Sequence, residues 1–326
     1  MIPDEIVVPK RLFYASILGL EVVIALVLFA VVYSRVREQA GPTSVAAQGI
    51  PADMNAQQRP APTDAADSAL FNQVRAEVLP DEGVTLPIRW GRWLPELVRQ
   101  GIIDRDKLEA SFAKQGGLTA EQKRLLTEGS DEFITINNQN SWFVVIALWP
   151  LGLANKMDIN QNSPIAGDSL YNFASTGGWS LGAEKNGGAY FNKFELVKLT
   201  QEQEALVKTM AENSYRPCCN NSTFYQDCNH GSALLGLLEL GASQGLSRKD
   251  LARAALVANS FWFPQNYLTT AMYFKVVKGI DWKDVDAEEV IGKDYSSASG
   301  ANKVAQKVAA MGIMPKGALG VQCGVQ

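Results

Sequence analysis

The 326-residue chain holds a single histidine, His230. Zinc sites of the HExxH kind and histidine-rich copper sites need two or more imidazoles, and c-type haem attachment needs CxxCH, so all three are excluded. No GxxxxGKS/T loop is present, no GxGxxG follows a strand pattern, and the glycine pairs of "STGGWSLGAEKNGGAYF" have another spacing. Nucleotide binding is therefore not expected. Basic excess is also missing: 30 Lys and Arg stand against 34 Asp and Glu, for a net charge of -4. The basic residues are scattered as on solvated helix faces, which leaves no footprint for nucleic acid. No repeat with a period of about 20 to 50 residues occurs.

One long apolar run is present. Residues 12–34, "LFYASILGLEVVIALVLFAVVYS", carry one charge, Glu21. As a helix this run would extend about 35 Å, enough to cross a bilayer. It leads directly into "YSRVRE", with no small-x-small cleavage site and no lipobox cysteine, so a retained single-pass transmembrane helix is expected. Lys10 and Arg11 before it nearly balance Arg35 and Arg37 after it. The short tail, residues 1–11, is placed in the cytoplasm and the large remainder outside. A carboxylate at membrane depth usually faces protein, so Glu21 is a candidate contact to the helix of a membrane-complex subunit. Residues 35–67 are rich in Ala, Gln, Pro and Gly without hydrophobic period, and are expected to form a flexible linker.

Residues 68–326 form the expected domain. Its start signals are helical: "TAEQ" from Thr119, "TQEQ" from Thr200, "SRKD" from Ser247 and "DAEE" from Asp286 each precede an apolar run of helical period. "RDKLEASFAKQGG" ends in a glycine pair, as a capped helix does. Strand alternation is confined to "EFITI" at 132–136, with "AYFNKFELVKL" as the next candidate. The fold class expected is mostly α. The run 142–154, "WFVVIALWPLGLA", is too short for a second membrane pass and contains Pro150, so it is expected to be a buried core helix. Residues 155–192 are loop-like, either a binding surface or irregular packing around Trp179.

Cysteine is scarce, four in all, yet Cys218, Cys219 and Cys228 fall together with His230 in "YRPCCNNSTFYQDCNHG". Pro217 is expected to end the helix begun at Thr200, and helical period resumes near Ser232. A hairpin between the two helices brings the pair at its entry to the pair at its exit. Three chemistries fit. Thiolates of Cys218, Cys219 and Cys228 with the His230 imidazole can hold a soft metal ion, zinc or copper, with Asp227 or Cys323 completing four ligands. Alternatively, in an oxidising compartment Cys219 with Cys228, and Cys218 with Cys323, can form structural disulfides. Or Cys228, ahead of a helix start, acts as a thiol nucleophile or dithiol redox centre with His230 as base and Asp227 orienting it. Whether the chain is an enzyme stays open. "NSFWFPQNY", 259–267, sets Trp262 and Phe263 before a helix break, as core or as a wall of the cysteine pocket.

The segments "RPCCNNSTFYQDCNHGSALLGLLELGASQG", "STGGWSLG" and "NSFWFP" together resemble a group of uncharacterised bacterial membrane-anchored proteins. The resemblance implies a bacterial cytoplasmic-membrane location, with the domain facing the periplasm or the extracellular side. It brings no catalytic residues.

Overall fold

The structure, a computed structural model, describes residues 64–315. The expected membrane helix 12–34, Glu21, residues 35–63 of the linker and Cys323 lie outside the described residues. Among the described residues no helix is long and apolar enough to cross a membrane.

Helix α1 (Asp64–Val78) opens the described chain, so the last residues of the expected linker are already helical. Strand β1 (Val84–Gly91), α2 (Trp93–Arg99), α3 (Arg105–Phe112), α4 (Ala120–Thr127) and β2 (Ser130–Ile136) come next. Then come α5 (Ser141–Ala154), a long stretch of short 3-10 turns, α6 (Gln201–Asn213), α7 (Asn229–Ser243), α8 (Arg248–Trp262) and α9 (Pro264–Tyr273). The last elements are α10 (Ala287–Ile291), α11 (Lys293–Ser296) and α12 (Ala298–Met311). The mostly-α class is borne out. Thr119 and Thr200 each form a capping box with Gln122 and Gln203, and Asp104, Ser247 and Asp286 accept backbone N–H bonds at the helix starts read from sequence.

The two strands pair antiparallel, Val84 opposite Ile136 and Arg89 opposite Phe133. β2 is the strand expected; β1 was not, because Pro87 sits inside it. Its burial nonetheless alternates, with Leu86, Ile88 and Trp90 inside. Proline is tolerated because β1 has a free edge. The Gln244 side chain covers part of that edge, accepting from Arg89 N at 2.8 Å and donating to Arg89 O at 2.9 Å. "AYFNKFELVKL" forms no strand; only Asn155 and Phe194 bridge there.

Helix α5 is the core helix expected from 142–154, although Pro150 does not break it. Every residue from Phe143 to Ala154 is buried. Leu148, Leu151 and Leu153, wholly inaccessible, contribute about 2 kcal/mol apiece through burial. α5 lies against α7 in the same direction: Ser232 Oγ donates to Trp149 O at 3.0 Å, Gly152 meets Gly236, and Asn155 lies beside Glu239. The stretch 155–192 packs irregularly around Trp179, which is buried, donates to Ile102 O at 2.9 Å and meets Trp149 edge-on at 5.0 Å.

Glu239 is fully buried on α7. Burial pushes its carboxyl well above the ordinary 4.5, and the Asn155 amide offsets this only in part. The folded chain then keeps a proton that the unfolded chain loses above pH 4.5, so stability falls as pH rises. Glu239→Gln is expected to remove a decline of up to about 1.4 kcal/mol per pH unit. Urea unfolding from about pH 5 to about pH 7 checks it, and equal slopes for parent and variant would contradict it.

Candidate metal centre

The connection between α6 and α7 is mostly polar and gives only Phe224 to the hydrophobic core. It closes instead on a cation. Ser214 and Thr223 latch the loop through Ser214 Oγ and Thr223 Oγ1 at 3.0 Å and Thr223 N to Ser214 O at 2.8 Å, and Phe224 N returns to Ala211 O of α6 at 2.9 Å. Inside the ring lies the guanidinium of Arg216, wholly inaccessible. It donates from Nη1 to Asn221 O at 2.8 Å and Ser222 O at 2.7 Å, and from Nη2 to Tyr225 O at 3.1 Å and Asp227 Oδ1 at 2.6 Å. Its Nε donates to Cys228 Sγ at 3.2 Å. All five donors of the fork are thereby used.

"RPCC" forms a turn in which Cys219 N donates to Arg216 O at 3.3 Å, with Pro217 in the second position that proline favours. The turn delivers two adjacent thiols to one spot. Cys228 is the residue preceding the first turn of α7, and its sulfur accepts from Gly231 N at 3.4 Å. α12 also begins at this loop: Ala298 N donates to Cys219 O at 2.9 Å and Ser299 N to Asn220 Oδ1 at 2.8 Å. Two helix N-termini thus bring their positive ends to the cysteine loop.

The three sulfurs form a nearly equilateral triangle, 3.4 Å from Cys218 to Cys219, 3.6 Å from Cys218 to Cys228 and 3.3 Å from Cys219 to Cys228. The hairpin expected from the sequence is present. No disulfide joins these three cysteines, which are free thiols. The expected Cys219–Cys228 staple is therefore corrected: a bond requires about 2.05 Å. With metal–sulfur bonds of about 2.3 Å, a tetrahedral ion needs sulfur spacings of about 3.8 Å and a trigonal one about 4.0 Å, so the triangle has to open by about 0.2 to 0.7 Å. Cys218, Cys219 and Cys228 can hold a metal ion together.

His230 and Asp227 are placed otherwise. The imidazole is buried against Phe263, 4.6 Å between ring centroids, and Trp262, 6.0 Å, and it lies outside the group of mutually close ligand atoms. Burial, with Arg216 adding to it and the Cys228 charge opposing, lowers His230 to about 4. At neutral pH the ring is uncharged. Asp227 spends Oδ1 on Arg216 and Oδ2 on Asn221 Nδ2 at 2.8 Å, so it does not orient His230.

Charge within the triangle is uneven. Cys228 is held well below the usual thiol range by hydrogen bonds from Cys218 and Cys219, with Arg216 assisting against burial. Cys218 is pushed up because it donates to both other sulfurs and is desolvated. Cys219 is pulled down by Cys218, yet its donation to Cys228 and its burial push it up to about 12. Burial works against the Arg216 cation, but negative charge at the cysteine site, Cys228 foremost, outweighs it and raises Arg216. The site is one thiolate held by two thiols, a guanidinium and a helix N-terminus. No protein-family model, no curated protein and no solved structure matches this chain. The chemistry of the site rests on its own geometry.

Sequence reasoning missed two residues that build the site. Arg216 looks like one more surface cation, and its signal is only its place beside two cysteines in a mostly polar loop. The other is Gly231, where a Cβ would come within 2.6 Å of Arg216 Nη2 and 2.7 Å of its Cζ. Alanine normally improves a helix by about 1 kcal/mol over glycine. Here the guanidinium cannot retreat, and Gly231→Ala is expected to cost about 1 to 3 kcal/mol. Urea unfolding decides the sign; a gain in stability would show that Arg216 is free to move.

Proposed function

We propose that this chain binds a soft metal ion, zinc or copper, through Cys218, Cys219 and Cys228. The observation that carries this is the sulfur triangle, unbonded and within about 0.7 Å of metal-ligand spacing. Resident thiolate character on Cys228 supports it, since the ligand form is the thiolate. In this reading residues 12–34 anchor the chain in a bacterial cytoplasmic membrane. The helical domain faces outward, and Glu21 contacts a membrane-complex subunit for which the chain is an accessory. What supports the anchor is the length and apolarity of that run. The bacterial location is supported by the resemblance of its RPCC and DCNHG segments.

Native mass and elemental analysis of the full chain, purified in detergent without chelator, test the metal reading. One equivalent of metal is expected in the parent and none in Cys228→Ser. A metal-free parent, or equal metal in both, would contradict it.

A second reading has an observation of its own. What supports thiol–disulfide exchange is the Cys228 sulfur with Arg216 Nε at 3.2 Å and the Cys219 sulfur at 3.3 Å. The Cys228 thiolate would attack a partner disulfide, release a partner thiolate, and be resolved by Cys219. Alkylation of the metal-free chain distinguishes this reading. Cys228 labelled much faster than Cys218 favours it, and uniformly slow labelling disfavours it.

A further inference from the structure

We propose that the three-sulfur site selects a three-coordinate monovalent ion, Cu(I), over Zn(II). This rests on the metal-binding reading and names the ion it takes. The first ground is what converges on the triangle. Among the described residues only Cys218, Cys219 and Cys228 form a set of mutually close ligand atoms. Among the described residues, the neighbouring groups with ligand chemistry are engaged elsewhere. Both carboxylate oxygens of Asp227 are committed to Arg216 and Asn221. The Tyr267 hydroxyl is paired with Ser296 Oγ at 2.5 Å. His230 is packed between Phe263 and Trp262. Zinc held by three protein ligands needs water or another exogenous group as its fourth, whereas soft thiolates favour Cu(I), for which three sulfurs complete the shell.

The second ground is charge. A buried cation sits permanently against the ligand set, with Arg216 Nε at 3.2 Å from the Cys228 sulfur. Repulsion between that guanidinium and the bound ion grows in proportion to the ion's charge, and water screens the buried guanidinium poorly. A divalent ion meets twice this repulsion, set against twice the attraction of the thiolates, so the guanidinium offsets part of what the ligands would otherwise give it. The cation cannot move aside, because its other donors are fixed on three backbone carbonyls and Asp227. The guanidinium thus narrows the advantage that three thiolates alone would give a divalent ion, and coordination number and ligand softness favour the monovalent one.

The test offers equimolar Cu(I), as its acetonitrile complex, and Zn(II) to the reduced full-length chain in detergent without oxygen, then measures both metals after gel filtration. Cys323→Ser and His230→Gln are run beside the parent, with far-UV circular dichroism as the folding control. The expected result is one equivalent of copper with zinc lower by about tenfold or more, as the softness of the ligands dictates. Both variants are expected to match the parent. Zinc equal to or above copper would overturn the selection while leaving the metal-binding reading intact. Copper lost in a folded Cys323→Ser or His230→Gln chain would overturn the three-sulfur shell. Binding of neither ion to the parent would overturn both readings.

Discussion

Arg216→Met is expected to destabilise the domain by about 3 to 5 kcal/mol, the scale on which one partner is lost from a buried charge network. The variant removes the guanidinium donors from the carbonyls of Asn221, Ser222 and Tyr225, and one donor each from the Asp227 carboxylate and the Cys228 sulfur, in a loop whose centre excludes solvent. Methionine fills much of the volume, so the loss reports on hydrogen bonds and charge rather than on a cavity. Arg216→Lys keeps the charge but offers three donors on one atom instead of a planar fork, and recovers only part of the loss. The Cys228 thiol also returns toward its ordinary range, because a cation that favours its ionised form is gone. Urea unfolding of parent and both variants measures the first effect. A loss below about 1 kcal/mol in Arg216→Met would mean that the loop does not depend on its guanidinium.

The second large effect is expected at Gly152. A Cβ there would stand 2.0 Å from Ser232 O and 2.6 Å from Gly236 N. Those are backbone atoms of the facing helix and cannot rotate away. Gly236 makes the reciprocal approach, its Cβ position lying 2.5 Å from Leu148 O. The α5–α7 pair therefore packs backbone to backbone, and Gly152→Val must push the helices apart. Overpacking usually costs about 1 to 3 kcal/mol, and with backbone on both sides the upper end or beyond is expected. Since α7 begins at Cys228, this displacement also spreads the sulfur triangle. Thermal unfolding checks the first consequence, and thiol alkylation rates the second. A variant as stable as the parent would show that the helices have slack between them.

Much of the fold was legible in the chain. Thr119, Thr200, Ser247 and Asp286 announced their helices because a capping side chain and its partner lie within four residues of each other. α5 was legible from an apolar run too short to span a membrane, although its continuation through Pro150 was not. Burial on all sides holds that helix and outweighs the hydrogen bond that proline removes. β1 was hidden by Pro87, while the alternation of Leu86, Ile88 and Trp90 was there to be read. The meeting of Cys218 and Cys219 with Cys228 could be inferred from a connection between two helices. Arg216 could not, because arginine is rarely buried and its burial depends on carbonyls that only the closed loop supplies. The position of His230 against Phe263 and Trp262 depends on the break between α8 and α9, thirty residues downstream, which local spacing cannot reveal.

The central claim is that three sulfurs jointly hold one ion. X-ray absorption at the metal edge of the loaded full-length chain tests it most directly. The expected first shell has three sulfur neighbours at about 2.3 Å, reduced to two in Cys219→Ser. A first shell dominated by oxygen or nitrogen, or one unchanged when Cys219 is replaced, would contradict it.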